Sequence, residues 1–181
     1  MTDPTSTAER IFESRHLRDV LGNFPTSVVA VTTLDDGDAP IGMVVGSFTS
    51  VSLAPPLVSF LVDRGSATLP RILRAQRFCA NALASDQEIL CRQMARSGGV
   101  DRFTGVRWRR SANQNPIIDG VVAWVDCSID KTVELGDHFL VVGRIQDLMV
   151  ASVKSPLLFF RGGYGDYSST AQKLLDSHLG Y

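Results

Sequence analysis

The order of hydrophobic and polar positions predicts a chain of β-strands interrupted by short helices. Residues Thr5–Leu21 have helical spacing, with Thr5 or Ser6 able to cap the helix and Gly22 able to end it. Alternating or β-branched segments predict strands at 27–33, 41–53, 55–62, 78–84, 121–130, 139–150 and 156–161. The turn signal at 35–38 makes the first two strands a hairpin.

Two further helices are predicted between the strands. Residues 71–76 are amphipathic, with Ser66 or Thr68 available as a cap and Pro70 suited to the first turn. Residues 85–95 begin with Ser85, which Glu88 follows three positions later as in a capping box. The polar stretch 98–118 predicts a long surface connection, and 169–180 a weak terminal helix.

This order of elements favours a closed, mostly antiparallel β-barrel with flanking helices. Strands and helices do not alternate regularly, as they would in a doubly wound sheet. The sequence contains no GxGxxG after a strand, no GxxxxGK[ST] and no HExxH, which disfavours several large enzyme classes. A length of 181 residues suits one domain, which we assign to 1–165, with a C-terminal arm at 166–181.

Charge and cysteine content narrow the expected partners and compartment. A formal net charge of −1 gives no general attraction to nucleic acid or to an anionic membrane. The N-terminus has no apolar signal region, and no segment approaches the roughly 18 apolar residues of a membrane span. Cys79, Cys91 and Cys127 are odd in number and widely spaced. They predict reduced thiols in a soluble cytoplasmic protein, without a metal site.

Two strand regions carry candidate binding groups. His138 follows Gly136 and Asp137 at the start of a strand, where its ring could face a cavity or merely help to close a turn. Gly46 suits a close approach by backbone or ligand. The hydroxyl residues around it could bind a planar polar ligand or face solvent: they are Ser47, Thr49, Ser50 and Ser52.

Three further positions allow both a binding and a structural interpretation. The loop that starts at Asp63 combines Arg64, Ser66 and Thr68 before a helix, which suits a phosphate or ordinary helix capping. Asn81 lies in a buried strand, so its amide must bond either backbone or ligand. Beyond the double glycine 162–163, Tyr164 could cover a ligand or pack on the surface.

In combination, these segments resemble the small flavin reductases of two-component monooxygenases, which share a flavin-binding split-barrel fold. The resemblance spans about Leu17 to Tyr164 and rests on the order and spacing of LGNFPTSVVAVTT, PIGMVVGSFTSVSLAPPLVSF, SATLPRIL, RFCANALASDQ, DRFTGV, the GDH at 136–138 and PLLFFRGGYG. It implies a homodimer that binds FMN or FAD together with NADH or NADPH. Such a protein passes hydride to the flavin and releases the reduced flavin to a separate oxygenase.

The resemblance also implies roles for individual residues. The stretch 43–47 would follow the edge of the flavin ring, Asn81 would lie near the ring or ribityl chain, and the loop after Asp63 would meet the phosphate. His138, the implied catalytic residue, would flank the nicotinamide and position it, together with Tyr164. The implied cofactor-binding set is Met43, Val44, Gly46, Ser47, Ser50, Ser52, Asp63, Arg64, Ser66, Thr68, Asn81 and Tyr164.

The sequence departs from the family pattern near the expected flavin. Many members have Thr where Val44 stands and Asn, Ser or Ala where Gly46 stands, so side-chain hydrogen bonds are lost here. Ser27 replaces a more usual glycine. These losses favour an alternative function, a flavin-binding electron carrier or flavin store, whereas His138 favours the reductase. A third alternative is a split-barrel dimer that binds no cofactor.

Overall fold

A computed structural model describes residues 12–96 and 101–169. The helices are α1 (Ser14–Leu21), α2 (Leu69–Ala75) and α3 (Glu88–Met94). The strands are β1 (Thr26–Ser27), β2 (Val29–Leu34), β3 (Pro40–Val45), β4 (Thr49–Leu53), β5 (Pro56–Asp63), β6 (Arg77–Ala82), β7 (Trp108–Arg110), β8 (Pro116–Ile118), β9 (Ala123–Leu135), β10 (His138–Val150), β11 (Leu157–Phe160) and β12 (Gly163–Asp166).

A seven-stranded antiparallel sheet forms the framework, in the order β3-β2-β6-β9-β10-β5-β4. Its centre is the long β9–β10 hairpin, whose two register shifts increase its twist and bend it. The sheet curls until Ser47, just after β3, bonds to β5: its hydroxyl accepts from Leu61 N at 2.9 Å and donates to Leu61 O at 3.2 Å. No backbone ladder joins β3 to β5 in the described residues. The antiparallel barrel is therefore split, as the family resemblance implies. It is not the closed barrel that the order of elements alone predicts.

Apolar side chains fill the curl and cover its outer face. Inside, Phe60 and Phe78 are fully buried and pack edge to face, with ring centroids 5.0 Å apart. Outside, α3 packs Cys91 and Met94 against Trp124 of β9. The two apolar clusters hold both faces of the central strands, so the sheet is a rigid support for the loops at its ends.

The amide of Asn81 is a structural group and not a ligand contact. Its Nδ2 donates to Ala30 O at 3.2 Å and to Thr32 Oγ1 at 3.0 Å, while its Oδ1 accepts from Ile118 N at 2.9 Å. The residue is 0% exposed. Burial of this amide is tolerated because it is bonded on every side. The structure therefore gives the Asn81 amide protein partners in place of a ligand.

Several predicted elements differ in detail from the structure. The stretch 41–53 is two strands, because the chain turns after Gly46. Ser85 opens a 3₁₀ turn and does not cap α3; instead Gln87 Oε1 accepts from Ala84 N at 3.0 Å. The connection 98–118 contains the β7–β8 hairpin, whose three-residue strands are too short to give a periodic signal. The last predicted strand is followed by β12, which the glycine-rich sequence concealed.

The ends of the chain can be compared only in part. The helix α1 ends at Gly22, as predicted, with Gly22 N donating to Arg18 O at 2.9 Å. The predicted caps at Thr5 and Ser6 and nearly all of the predicted helix 169–180 lie outside the described residues. Within 12–96 and 101–169, no helix is both long enough and apolar enough to cross a membrane.

Candidate functional site

A cleft of about 880 Å³ opens where the ends of β3 and β5 meet the start of β10. Its lining combines apolar side chains with a few polar groups, as in a small-molecule site. The apolar lining includes Met43, Val44, Val45, Leu61, Val62, Ala67, Met94 and Ala95. The remaining lining residues are Thr26, Gly46, Ser47, Asp63, Gly65, Ser66, Thr68, Arg102 and His138.

The loop from Asp63 to Thr68 is shaped by its own side chains. Asp63 Oδ1 accepts from Gly65 N at 2.6 Å, which turns the chain sharply after β5. Ser66 Oγ then accepts from Thr68 N and Leu69 N, both at 3.3 Å, and so caps α2. Of the two predicted caps, Ser66 and Thr68, Ser66 provides the side-chain bonds at the start of α2, whereas Thr68 occupies the N-cap position without one. The bonds of Ser66 fix the loop as part of the cleft.

The cation of the cleft is Arg102. Its Nη1 donates to Gly42 O at 2.8 Å and to Thr68 Oγ1 at 3.1 Å, and its Nε donates to Arg96 O at 3.0 Å. Its other terminal nitrogen, Nη2, has no hydrogen-bond partner among residues 12–96 and 101–169. The Thr68 hydroxyl accepts from Arg102 and keeps its own proton for a ligand. This guanidinium can therefore bind an anion in the cleft.

Arg64, the predicted phosphate ligand, points elsewhere. Its Nη1 lies 2.7 Å from Glu134 Oε1, in an exposed ion pair, and the side chain is not part of the cleft lining. The main chain of Arg64 has a structural role, since its N–H donates to Asp137 O at 3.0 Å and ties the loop to the β9–β10 turn. Arg102, and not Arg64, is therefore the arginine that lines the cleft. Sequence reasoning missed Arg102 because it lies in the stretch interpreted as a surface connection.

His138 stands at the rim of the cleft, opposite Asp63 in the β10–β5 register. Its Nδ1 lies 2.7 Å from Asp137 Oδ1. That hydrogen bond and the charge of the imidazole lower the pKa of Asp137. With Nδ1 engaged, Nε2 is the ring nitrogen that a ligand can reach.

A side pocket of about 210 Å³ adjoins the cleft and shares Thr26 and Gly46 with it. Tyr164 lines this pocket, packed edge to face on Phe159 at 5.2 Å, with the Arg92 guanidinium 4.8 Å from its ring centre. The Cys91 sulfur and the Tyr164 hydroxyl oxygen are hydrogen-bonded at 3.2 Å. That hydrogen bond, together with burial, raises the pKa of Tyr164 to about 12. The phenol is therefore neutral and held in one orientation.

The polar groups of the cleft are separated along β3. Arg102 binds the carbonyl of Gly42, and Gly46 lies four residues further on, a span of at most about 13 Å at the usual rise of a strand. The aliphatic side chains of Val44 and Val45 line the cleft within this span. Such a cleft suits an elongated ligand with an anion at one end and a planar ring at the other.

Comparison with known proteins agrees with this geometry. The profile of the family described as flavin reductase like domain matches residues 21–168 of the chain. The chain belongs to this flavin reductase family. Membership covers all of the described strands and the whole cleft, so the predicted family and split-barrel fold are confirmed.

Individual flavin reductases are similar over most of their length. A flavin reductase of Pseudomonas putida is 51% identical over 152 residues, 84% of this chain and 89% of that protein. The flavin-dependent monooxygenase reductase subunit HsaB of Rhodococcus jostii is 38% identical over 164 residues, 91% of this chain and 83% of that protein. The structure of the Streptomyces globisporus NADH:FAD oxidoreductase SgcE6 with NAD and FAD fragments superposes with a TM-score of 0.82 at 33% identity, covering 91% of this chain and 99% of that one.

Within this flavin reductase fold, the structure brings together most of the implied cofactor-binding residues. The cleft is lined by Met43, Val44, Gly46, Ser47, Asp63, Ser66, Thr68 and His138, and Tyr164 lines the side pocket. Ser50 and Ser52 are not among its lining residues, because they lie on β4, the edge strand of the sheet. Arg64 and Asn81 are also outside the cleft lining. Two polar residues of the cleft lining were not predicted individually from the sequence, namely Arg102 and Thr26.

Proposed function

We propose that this flavin reductase family member is an NAD(P)H:flavin oxidoreductase that reduces FMN or FAD and supplies the reduced flavin to a separate monooxygenase. The observation that carries the proposal is the cleft itself, in which Arg102 and Thr68 form an anion site at one end and aliphatic side chains line the stretch toward Gly46. This matches the order of groups in FMN: a phosphate, a flexible chain and a planar ring. HsaB is the reductase subunit of a flavin-dependent monooxygenase, and SgcE6 is an NADH:FAD oxidoreductase.

The residues of the chain would bind and orient the cofactors. When bound, the flavin and the reduced nicotinamide supply the redox chemistry between them. Arg102 and Thr68 hold the phosphate, and Met43 and Val44 pack on the ring. His138, oriented by Asp137, positions the nicotinamide at the rim of the cleft. No group of the chain has to exchange a proton with substrate in this scheme.

The proposal includes a homodimer in the cytoplasm. Apolar side chains are exposed on β9 and β10: Val133 and Leu135 lie near the cleft end of the hairpin, and Met149 and Val150 near its other end. Exposed apolar side chains along this hairpin suit an interface, and a second copy of the chain would cover them. The three cysteines are buried and unpaired, which suits a reducing compartment.

The test is nicotinamide oxidation by flavin-free protein. NADH and NADPH are each mixed with the protein alone, with FMN and with FAD, and loss of the nicotinamide absorbance is followed. Oxidation is expected only where a flavin is added, because in this proposal the flavin is the acceptor of the hydride. Equal oxidation without flavin, or none under any condition, contradicts the proposal. Bound flavin that survives dialysis, without turnover of free flavin, would identify the electron carrier instead.

A further inference from the structure

Thr26 stands at the junction of the cleft and the side pocket and lines both. It lies on β1, the two-residue strand that pairs with β11, and its side chain is partly exposed. The register places it opposite Phe159, which lines the side pocket. A hydroxyl at this junction can reach a ligand that occupies the cleft.

Gly46 makes room for this hydroxyl. A β-carbon at position 46 would lie 2.8 Å from Thr26 Oγ1 and 3.3 Å from Thr26 Cβ. The first distance is shorter than real β-carbons tolerate, and the oxygen is the nearest atom. The Thr26 hydroxyl therefore occupies the space in which another residue at position 46 would place its side chain. A larger residue at position 46 would therefore displace the Thr26 side chain from this position.

The other hydroxyl groups of the cleft are already bonded to the protein. Ser47 Oγ both accepts from and donates to the backbone of Leu61. Ser66 Oγ caps α2, and Thr68 Oγ1 accepts from Arg102. Among the residues that line the cleft, Thr26 has the one hydroxyl without a hydrogen-bond partner within 12–96 and 101–169. It retains both its donor and its acceptor capacity for a ligand.

We propose that Thr26 fixes the orientation of the flavin ring by hydrogen bonding to its polar edge. Gly46 has no side chain and so leaves room for the Thr26 hydroxyl, whereas the aliphatic side chain of Val44 cannot form such a bond. This inference deepens the proposed function and rests on it. The polar edge of the ring alternates carbonyl oxygens and ring nitrogens, so a hydroxyl that both donates and accepts matches either kind of atom. In this proposal Thr26, on β1, supplies a side-chain hydrogen bond to the ring. Neither Val44 on β3 nor Gly46 in the turn after β3 has a side chain that could supply it.

The experiment measures riboflavin binding by fluorescence titration of the full chain. Riboflavin lacks the phosphate, so the anion site does not contribute. Thr26→Val keeps the shape of the side chain and removes the hydroxyl, and it is expected to raise the dissociation constant about three- to ten-fold. Thr26→Ser keeps the hydroxyl and is expected to stay within about two-fold of the wild type. Thr49→Val is the matched control, since Thr49 has an exposed hydroxyl on β4 outside the cleft.

Two further measurements separate a ligand contact from packing. The visible spectrum of bound flavin is expected to shift in Thr26→Val and not in Thr26→Ser, because only the first loses the hydrogen bond. Gly46→Ala is expected to weaken binding in the wild type and to have a smaller effect in a Thr26→Ala background, where the 2.8 Å contact is gone.

The inference is overturned if Thr26→Val binds riboflavin like Thr49→Val, or if Thr26→Ser loses as much affinity as Thr26→Val. A change in the apparent KM for NADH with unchanged riboflavin affinity also overturns it, because the hydroxyl would then serve the nicotinamide. If the wild type binds no flavin at all, the proposed function fails, and that result is recognisable before any variant is compared.

Discussion

The anion site assigned to Arg102 can be tested by comparing two flavins that differ only in the phosphate. FMN and riboflavin share the ring and the ribityl chain. Replacement of Arg102 by Ala is expected to weaken FMN binding far more than riboflavin binding. The reason is that, of the groups of FMN, the guanidinium would contact only the phosphate. The measured quantity is the ratio of the two dissociation constants.

The structure sets the size of the effect. A hydrogen bond to a charged group contributes about 1.5–3 kcal/mol, so the preference for FMN is expected to fall by about ten- to a hundred-fold. Arg102 also donates to Gly42 O at 2.8 Å and to Thr68 Oγ1 at 3.1 Å, and loss of these bonds disturbs the cleft for both flavins. That shared loss cancels in the ratio. Arg102→Lys keeps the charge without the planar fork and is expected to retain part of the preference.

The assay is fluorescence titration at two salt concentrations, with Arg64→Ala as the control. Arg64 has an exposed ion pair with Glu134, of a kind that contributes about 0–1 kcal/mol to stability, and it lies outside the cleft. The preference for FMN is expected to weaken in salt for the wild type and to be insensitive to salt in Arg102→Ala. An unchanged ratio in Arg102→Ala, or a ratio that falls in Arg64→Ala, would refute the assignment.

Three other predictions follow from the site and the core. His138→Ala is expected to raise the apparent KM for NADH while flavin affinity stays within a few-fold, because the ring positions the nicotinamide; an unchanged kcat/KM for NADH would leave His138 a turn residue. Val44→Thr adds a hydroxyl to the cleft and is expected to tighten flavin binding about two- to ten-fold in a fluorescence titration. Weaker binding would show that the aliphatic surface of Val44 contributes more than an added hydrogen bond. Burial raises the pKa of Cys127 to about 12. Above about pH 8.5 this thiol loses its proton in the unfolded chain and keeps it in the folded one. The free energy of unfolding, measured with urea, is therefore expected to fall as the pH rises, by up to about 1.4 kcal/mol per pH unit for this thiol. Cys127→Ala should reduce that slope, and an identical slope would contradict the reasoning.

The sequence predicted the elements whose signals are local. The helix end at Gly22 and the cap at Ser66 depend on neighbouring residues, and the structure has both. The long β9 and β10 strands have enough apolar and β-branched residues to be recognised without knowledge of their partners. The break between β3 and β4 was not recognised, because residues typical of strands continue across it in the sequence.

The binding residues were predicted less well, because their roles depend on contacts that are distant in the sequence. The loop after Asp63 contains an arginine in a suitable place, and the pattern could not show that Arg64 would pair with Glu134 on another strand. Arg102 reaches the same loop from 34 positions further along, through Thr68. Asn81 gave a correct signal, a buried amide in need of partners, but periodicity cannot distinguish backbone partners from a ligand.

The two ends of the cleft differ in the strength of the contacts that they offer, and this difference bears on the proposed role. At one end Arg102 offers a charged donor for a phosphate, whereas at the other the neutral hydroxyl of Thr26 is the one cleft hydroxyl without a protein partner in the described residues. A charge-assisted bond is roughly twice as strong as a neutral one, so the phosphate end would carry most of the polar binding energy. The ring would then be held chiefly by apolar contact with Met43 and Val44, which does not depend on the redox state of the ring. A cleft of this kind would bind oxidised and reduced flavin with similar affinity, so that reduced flavin could exchange with solution, as the proposed supply of a separate monooxygenase requires.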